Sequence, residues 1–180
     1  MTRLEELLLA RSVRRGDFVL ASGERSSYYI DCRLTTMSAE GLTLVGRAGL
    51  AAIRTAGWDA TVLGGLTLGA DPLAYAIAAA SFAAGPALDA FTVRKEAKEH
   101  GTRRLIEGNF KPGDRAVVVE DVLTSGGSAL KAIDAVEREG GQVLGVLALV
   151  DREQGGRERI EARGYSVVAI TTASNLGLRA

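Results

Sequence analysis

The stretch AVVVEDVLTSGGS, residues 116–128, decides how the rest of the chain is read. Ala116, Val117, Val118 and Val119 run directly into two adjacent acids, Glu120 and Asp121. An apolar, β-branched run of this kind is a buried strand, and the acids stand at its exit. Thr124, Ser125, Gly126, Gly127 and Ser128 follow, and a helical pattern begins after them. Such a loop offers backbone N–H groups, hydroxyl donors and the positive end of a helix, all of which suit a phosphate. The carboxylates suit hydroxyls, a divalent cation or a cationic transition state. A phosphate loop joined to such acids implies a phosphorylated sugar. Taken alone, S-G-G-S after a strand serves turn geometry and helix capping equally well. The loop fits neither a Walker sequence nor a G-x-G-x-x-G dinucleotide fingerprint.

Outward from this stretch, strand-like runs alternate with helical patterns. Residues 38–56 read as a helix capped by Ser38, with Leu42, Val45, Gly46 and Gly49 on one face. Residues 61–66 read as a strand, followed by a glycine-bearing loop and an alanine-rich helix to Ala84. Residues 89–93, 143–150 and 165–170 read as further strands, and Gly140-Gly141 stop the helix that follows the S-G-G-S loop. Strands buried on both faces and separated by helices predict an α/β fold with a mostly parallel central sheet flanked by helices. Residues 18–31 break the rhythm and read as a hairpin turning at residues 22–26, a small appendage outside the main sheet. Arg94, Glu120 and Asp151-Arg152 fall at carboxyl ends of strands, where open α/β sheets bind ligands.

A chain of 180 residues, 47% hydrophobic and 24% charged, is expected to form one soluble domain over residues 1–180. With 22 basic and 22 acidic residues the formal net charge is +0. No global field would hold it on nucleic acid or an anionic membrane, so neither partner is expected. The single cysteine, Cys32, excludes an internal disulfide and fits a reducing compartment. MTRLEELLLA at the N-terminus reads as an amphipathic helix, not a signal peptide. Residues 72–88 are too weakly apolar to span a bilayer, and a cytoplasmic location is expected.

A second informative segment, RKEAKEHGTRRLIEG at residues 94–108, is strongly basic and holds the only histidine, His100. By itself it reads as a solvated surface loop. With a phosphate loop nearby, Arg94, Lys95, Lys98 and His100 become donors for a departing polyanion, and such a loop could close over it and exclude water.

The segments SGERSSYYID (22–31), VRKEAKEHG (93–101), VVVEDVLTSGGS (117–128) and LVDREQGG (149–156) occur in an order that resembles the orotate phosphoribosyltransferases, a branch of the type I phosphoribosyltransferase family. The likeness runs along nearly the whole chain. It implies the type I phosphoribosyltransferase fold, with residues 1–36 forming a hood of helix and hairpin on the base side. It also implies transfer of the phosphoribosyl group of 5-phosphoribosyl 1-diphosphate (PRPP) to orotate in pyrimidine biosynthesis, with Mg²⁺ held mainly through substrate. Arg94, Lys95, Lys98 and His100 would contact PRPP and its diphosphate. Glu120 and Asp121 would hold the ribose hydroxyls, and these two acids with Lys98 and His100 would form the catalytic set. The PRPP site would continue through Val122 and Leu123, with Thr124, Ser125, Gly126, Gly127 and Ser128 cradling the 5′-phosphate. Thr124 and Arg152 would contact orotate, with Tyr29 and Ile30 beside it. The resemblance further implies a homodimer whose basic loop, residues 95–107, acts in the neighbouring subunit's site.

Two departures remove charge. Many relatives carry lysine where this chain has Ala21, and others have Tyr-Lys where it has Thr67-Leu68. Three other readings stay open on the residues alone: a purine phosphoribosyltransferase, a regulator of the same fold that binds RNA, and a non-catalytic α/β binding domain.

Overall fold

The computed structural model describes residues 1–19, 25–96 and 105–178. Helix α1 (Arg3–Arg11) starts at a capping box, in which Thr2 and Glu5 satisfy each other's backbone N–H groups. It turns Leu4, Leu7 and Leu8 inward. Strands β1 (Val13–Val19) and β2 (Arg25–Ile30) pair antiparallel as a separate two-stranded sheet. This hairpin, expected from residue 18 with its turn at residues 22–26, begins at Val13. Arg25 and Ser26 lie in β2 and not in the turn because they pair with Val19 and Phe18; residues 20–24 lie outside the described residues. Two helices follow, α2 (Arg33–Thr36) and α3 (Ala39–Thr55), the latter capped by the Ser38 hydroxyl accepting from the Gly41 N–H.

The main sheet has the order β5-β4-β3-β6-β7-β8. Its strands are β3 (Val62–Leu66), β4 (Asp89–Val93), β5 (Ile106–Gly108), β6 (Arg115–Leu123), β7 (Gln142–Asp151) and β8 (Val167–Thr172). All neighbours are parallel except β5, which runs antiparallel to β4. Between the strands lie α4 (Ala70–Ala84), α5 (Gly127–Arg138) and α6 (Gly156–Glu161). Alternation along β6 separates the two cores. Val117 and Val119 join α1, α3, α4 and the hairpin on one face, while Ala116 and Val118 join α5 and α6 on the other. Each fully buried Leu, Ile or Val contributes about 1.5–3 kcal/mol of transfer free energy, so the central strands are fixed from both sides.

Three further expectations are corrected. The strand at residues 116–119 does not end before the acids: β6 continues to Leu123, with Glu120 opposite Ala148 and Leu123 opposite Asp151. Partner pairing along β7 carries the ladder past the point where the sequence turns polar. The basic segment is not loop throughout, since Ile106 and Glu107 pair with Val93 and Thr92. On α3, Val45, Gly46 and Gly49 are buried, but Leu42 is exposed because the packed stripe enters through Gly41 and leaves Leu42 to its side. Among the described residues no helix is long and apolar enough to cross a membrane.

Candidate active site

Two adjoining cavities open at the carboxyl end of β6. The first, about 270 Å³, is lined by Glu120, Val122, Leu123, the loop residues Thr124, Ser125, Gly126, Gly127 and Ser128, and Lys131. Gly126 sits at the head of α5 with φ 75°, a left-handed conformation that favours glycine, and no side chain caps the helix there. The first N–H groups of α5 are therefore left to a ligand. From behind, Gly156 presses on the loop so closely that a Cβ there would fall 2.4 Å from the Thr124 carbonyl oxygen.

The second cavity, about 280 Å³, shares Glu120, Val122 and Ser128 with the first. It extends across Asp121 to Tyr29, Ile30, Asp31 and Arg33 from the hairpin side, Leu66 through Gly69 from the β3–α4 loop, and Lys95. The two acids thus stand between a loop suited to phosphate and a wider, mixed pocket.

Their surroundings are unusual for carboxylates. Oε2 of Glu120 is buried and finds no hydrogen-bond partner among the described residues. Burial first, and then the Asp121 charge, raise the Glu120 pKa to about 8. Burial likewise raises Asp121, opposed by the Val122 N–H, which donates to its Oδ1 at 2.9 Å. The Asp121 carboxylate lies against Gly69, where a Cβ would meet its Cγ and both oxygens at 2.5 Å.

The walls are held by hydrogen bonds that the sequence does not reveal. Arg33 donates to both oxygens of Asp31 at 2.8 and 2.9 Å, which holds the Asp31 carboxyl below its ordinary range. Under the β3–α4 loop, Asp71 accepts from Thr67 at 2.7 Å and from Thr92 at 2.8 Å, so both its oxygens brace the cavity wall. Of the two positions that lack a lysine, Thr67-Leu68 line the second cavity, and Ala21 lies outside the described residues.

Arg152 follows β7 as expected, yet it is 6% exposed and is not among the residues lining either cavity. Its guanidinium stacks on the Tyr28 ring, 4.6 Å from the centroid, and donates to Ser26 Oγ at 3.1 Å. Its Nε is buried without a partner among the described residues. The preceding Asp151 holds the backbone: it accepts from the Glu153 N–H at 2.9 Å and pairs with Arg157 at 3.0 Å. Lys95 reaches the second cavity, whereas Arg94 stands beside it, 3.6 Å from Glu107. Lys98 and His100 lie outside the described residues. Arg33, Gly69, Asp71 and Lys131 belong to the site but carry no local sequence signal. Gly69 and Asp71 are brought there by tertiary contact, whereas Lys131 comes in on the second turn of α5.

Residues 42–175 match the phosphoribosyl transferase domain family. The chain is 47% identical over 178 residues to orotate phosphoribosyltransferase of Mycobacterium avium (strain 104), an alignment spanning 99% of this chain and 97% of that protein. It is 46% identical over 177 residues to orotate phosphoribosyltransferase of Aquifex aeolicus (strain VF5), spanning 97% and 96%. Among solved structures, Mycobacterium tuberculosis H37Rv orotate phosphoribosyltransferase in complex with Fe(III) dicitrate matches with a TM-score of 0.85 at 47% identity, covering 97% of each chain. The same protein in complex with PRPP matches with a TM-score of 0.80 at 44% identity, again covering 97% of each.

Proposed function

The chain belongs to the phosphoribosyl transferase family, and from that premise we propose that it transfers the phosphoribosyl group of PRPP to orotate, giving orotidine 5′-monophosphate and pyrophosphate in pyrimidine biosynthesis. One observation carries the reading. Two half-buried, adjacent carboxyl groups stand between a hydroxyl- and N–H-rich loop and a second pocket, in a chain 47% identical over nearly its full length to an orotate phosphoribosyltransferase.

In this reading Thr124, Ser125, Gly126, Gly127 and Ser128 hold the 5′-phosphate, and Val122 and Leu123 close the inner wall. Glu120 and Asp121 face the ribose hydroxyls and the positive charge that develops on the ring. That charge favours the ionised form of Glu120 over the protonated form that burial favours in the empty site. The anomeric C–O bond breaks and its electron pair leaves with pyrophosphate, while the orotate ring nitrogen forms the new C–N bond. Lys95 and Arg94 serve the diphosphate together with Lys98 and His100. Orotate lies by Tyr29 and Ile30, with Thr124 and Arg152 as donors. Residues 1–36 act as a hood over the base, which the contacts of Ser26 and Tyr28 with Arg152 support. No protein nucleophile is required; positioning and charge complementarity supply the rate.

Magnesium fits this site as an ion carried by substrate. Among the described residues no group of three His, Cys, Asp or Glu could hold a metal, but the unpaired Glu120 oxygen and Asp121 offer hard oxygen donors beside the substrate's own. When bound it would neutralise the leaving diphosphate. A homodimer is part of the same proposal, supported by the exposed Leu34, Met37 and Leu68 around an apolar hollow next to the second cavity. So is a cytoplasmic location, in keeping with the single free, buried cysteine.

An assay with orotate, PRPP and Mg²⁺ tests the reading: orotidine monophosphate and pyrophosphate should form, and EDTA should abolish turnover. Turnover of adenine or hypoxanthine with none of orotate would sink it.

A further inference from the structure

The cavity formed by the β6–α5 loop is floored by neutral donors, the hydroxyls of Thr124, Ser125 and Ser128 and the backbone of Gly126 and Gly127. Among the described residues its charged lining is one acid, Glu120, and one base, Lys131. Lys131 lies in the second turn of α5. A helical side chain leans toward the helix N-terminus, over the residues three and four positions earlier. For Lys131 these are Ser128 and Gly127. Gly127 presents no side chain to block that path, and even a Cβ built there would meet nothing nearer than Ser125 Oγ at 3.8 Å. The stem of Lys131 therefore runs back toward the mouth of the loop. The acid best placed to draw its ammonium away, Asp134 one turn onward, is held by Arg163 at 2.9 Å. Lys131 also lines a neighbouring hollow with Arg94, Lys95 and Arg138. It stands on the wall between the loop and the cationic flank of the site.

We propose that Lys131 is a binding residue for the 5′-phosphate of the sugar substrate, supplying the full positive charge that the T-S-G-G-S loop lacks. This rests on the reading that the loop cavity takes that phosphate. A solvated lysine on an exposed helix face would leave every substrate constant unchanged. A lysine paired with the phosphate affects only ligands that carry it.

Ribose 5-phosphate, which has the phosphate but no diphosphate, separates this role from service to the leaving group. Steady-state kinetics with orotate and PRPP are measured for the parent protein, Lys131→Gln and Lys131→Arg, with ribose 5-phosphate and pyrophosphate as inhibitors. Because Lys131 is exposed, the variants are expected to fold, and matching thermal melts check this. Lys131→Gln should raise the PRPP KM and the ribose 5-phosphate Ki together by roughly five- to twentyfold, the range of one charge-assisted contact at a partly exposed site. The orotate KM and pyrophosphate Ki should stay within about twofold, and Lys131→Arg should recover most of the loss because charge is retained. The PRPP KM of Lys131→Gln should also depend less steeply on salt.

An unchanged ribose 5-phosphate Ki in Lys131→Gln, or a larger shift for pyrophosphate, overturns the assignment. If the parent protein turns over orotate and the variant behaves identically, this residue alone is rejected. A parent protein with neither turnover nor affinity for ribose 5-phosphate rejects the underlying reading and this inference with it.

Discussion

The guanidinium of Arg152 lies over the ring of Tyr28, 4.6 Å from its centroid, and so ties the end of β7 to the hairpin 124 positions earlier in the chain. Ser26 completes the clamp: its hydroxyl accepts from Arg152 at 3.1 Å and donates to the Tyr28 carbonyl at 2.7 Å. A stacked, singly anchored guanidinium keeps its plane fixed while leaving other N–H groups for a ligand. Arg152→Ala should raise the KM for orotate far more than that for PRPP, and Arg152→Lys should rescue poorly because the planar fork is lost. Tyr28→Phe should behave like the parent, whereas Tyr28→Leu forfeits a contact of about 0.5–2 kcal/mol and should raise the orotate KM selectively. Equal rises for both substrates would make Arg152 a structural arginine only.

Gly69 makes room for Asp121. Its φ of −63° and ψ of −41° are ordinary helical values, so alanine suits the backbone and the obstacle is the carboxylate 2.5 Å from the new Cβ. Asp121→Ala should lower kcat/KM by about ten- to hundredfold, the loss expected for one charged hydrogen bond. Gly69→Ala should approach the same loss by displacing that carboxylate. Combining the two should cost little beyond Asp121→Ala alone; additive losses would show that Gly69 acts elsewhere.

Glu120 gives a pH signature. Burial and the Asp121 charge raise its pKa from 4.5 to about 8 in the folded protein, so the folded state holds this proton more tightly than the unfolded chain. Above the unfolded value, stability therefore falls as pH rises, until both states are ionised near pH 8. The contribution approaches ~1.4 kcal/mol per pH unit between those limits. Denaturation across this window should show a flatter decline for Glu120→Gln than for the parent. Parallel curves would mean that Glu120 titrates as an ordinary surface acid.

Much of the architecture can be read directly from the sequence because burial writes it there. The unbroken apolar runs of β6 and β7, the Ser38 cap and the glycines flanking α5 are local signals, and each marks the element it suggests. What escapes is whatever depends on a partner. The extension of β6 through Glu120 and Asp121 is set by pairing with β7, and β5 is too short to show a period of its own. The loop, the acids and Arg152 were visible as chemistry. The Asp71 brace, the Gly69 contact and the Arg152 clamp join residues between 4 and 126 positions apart, and no spacing rule anticipates them.

Sharing of the basic loop between subunits can be read by complementation. Lys98→Ala and Asp121→Ala chains, each impaired alone, should when mixed exceed the sum of their separate activities, because exchange would leave some dimers with one intact composite site. Subunit exchange demonstrated by mass, with no gain in activity, would refute the shared loop.

The edge strand β5 imposes a geometric limit on that sharing. The Arg94 N–H donates to the Leu105 carbonyl at 2.8 Å, so the chain leaves the sheet and returns to it at one closed gate. A tether of about ten residues that starts and ends at a single point can reach no farther than half its contour, roughly 17 Å. In a dimer that shares this segment, the partner's pyrophosphate site would have to lie within that backbone reach, extended by one lysine or histidine side chain, of the Arg94–Leu105 bond. A three-residue strand would thereby serve as a ruler for the spacing between two active sites.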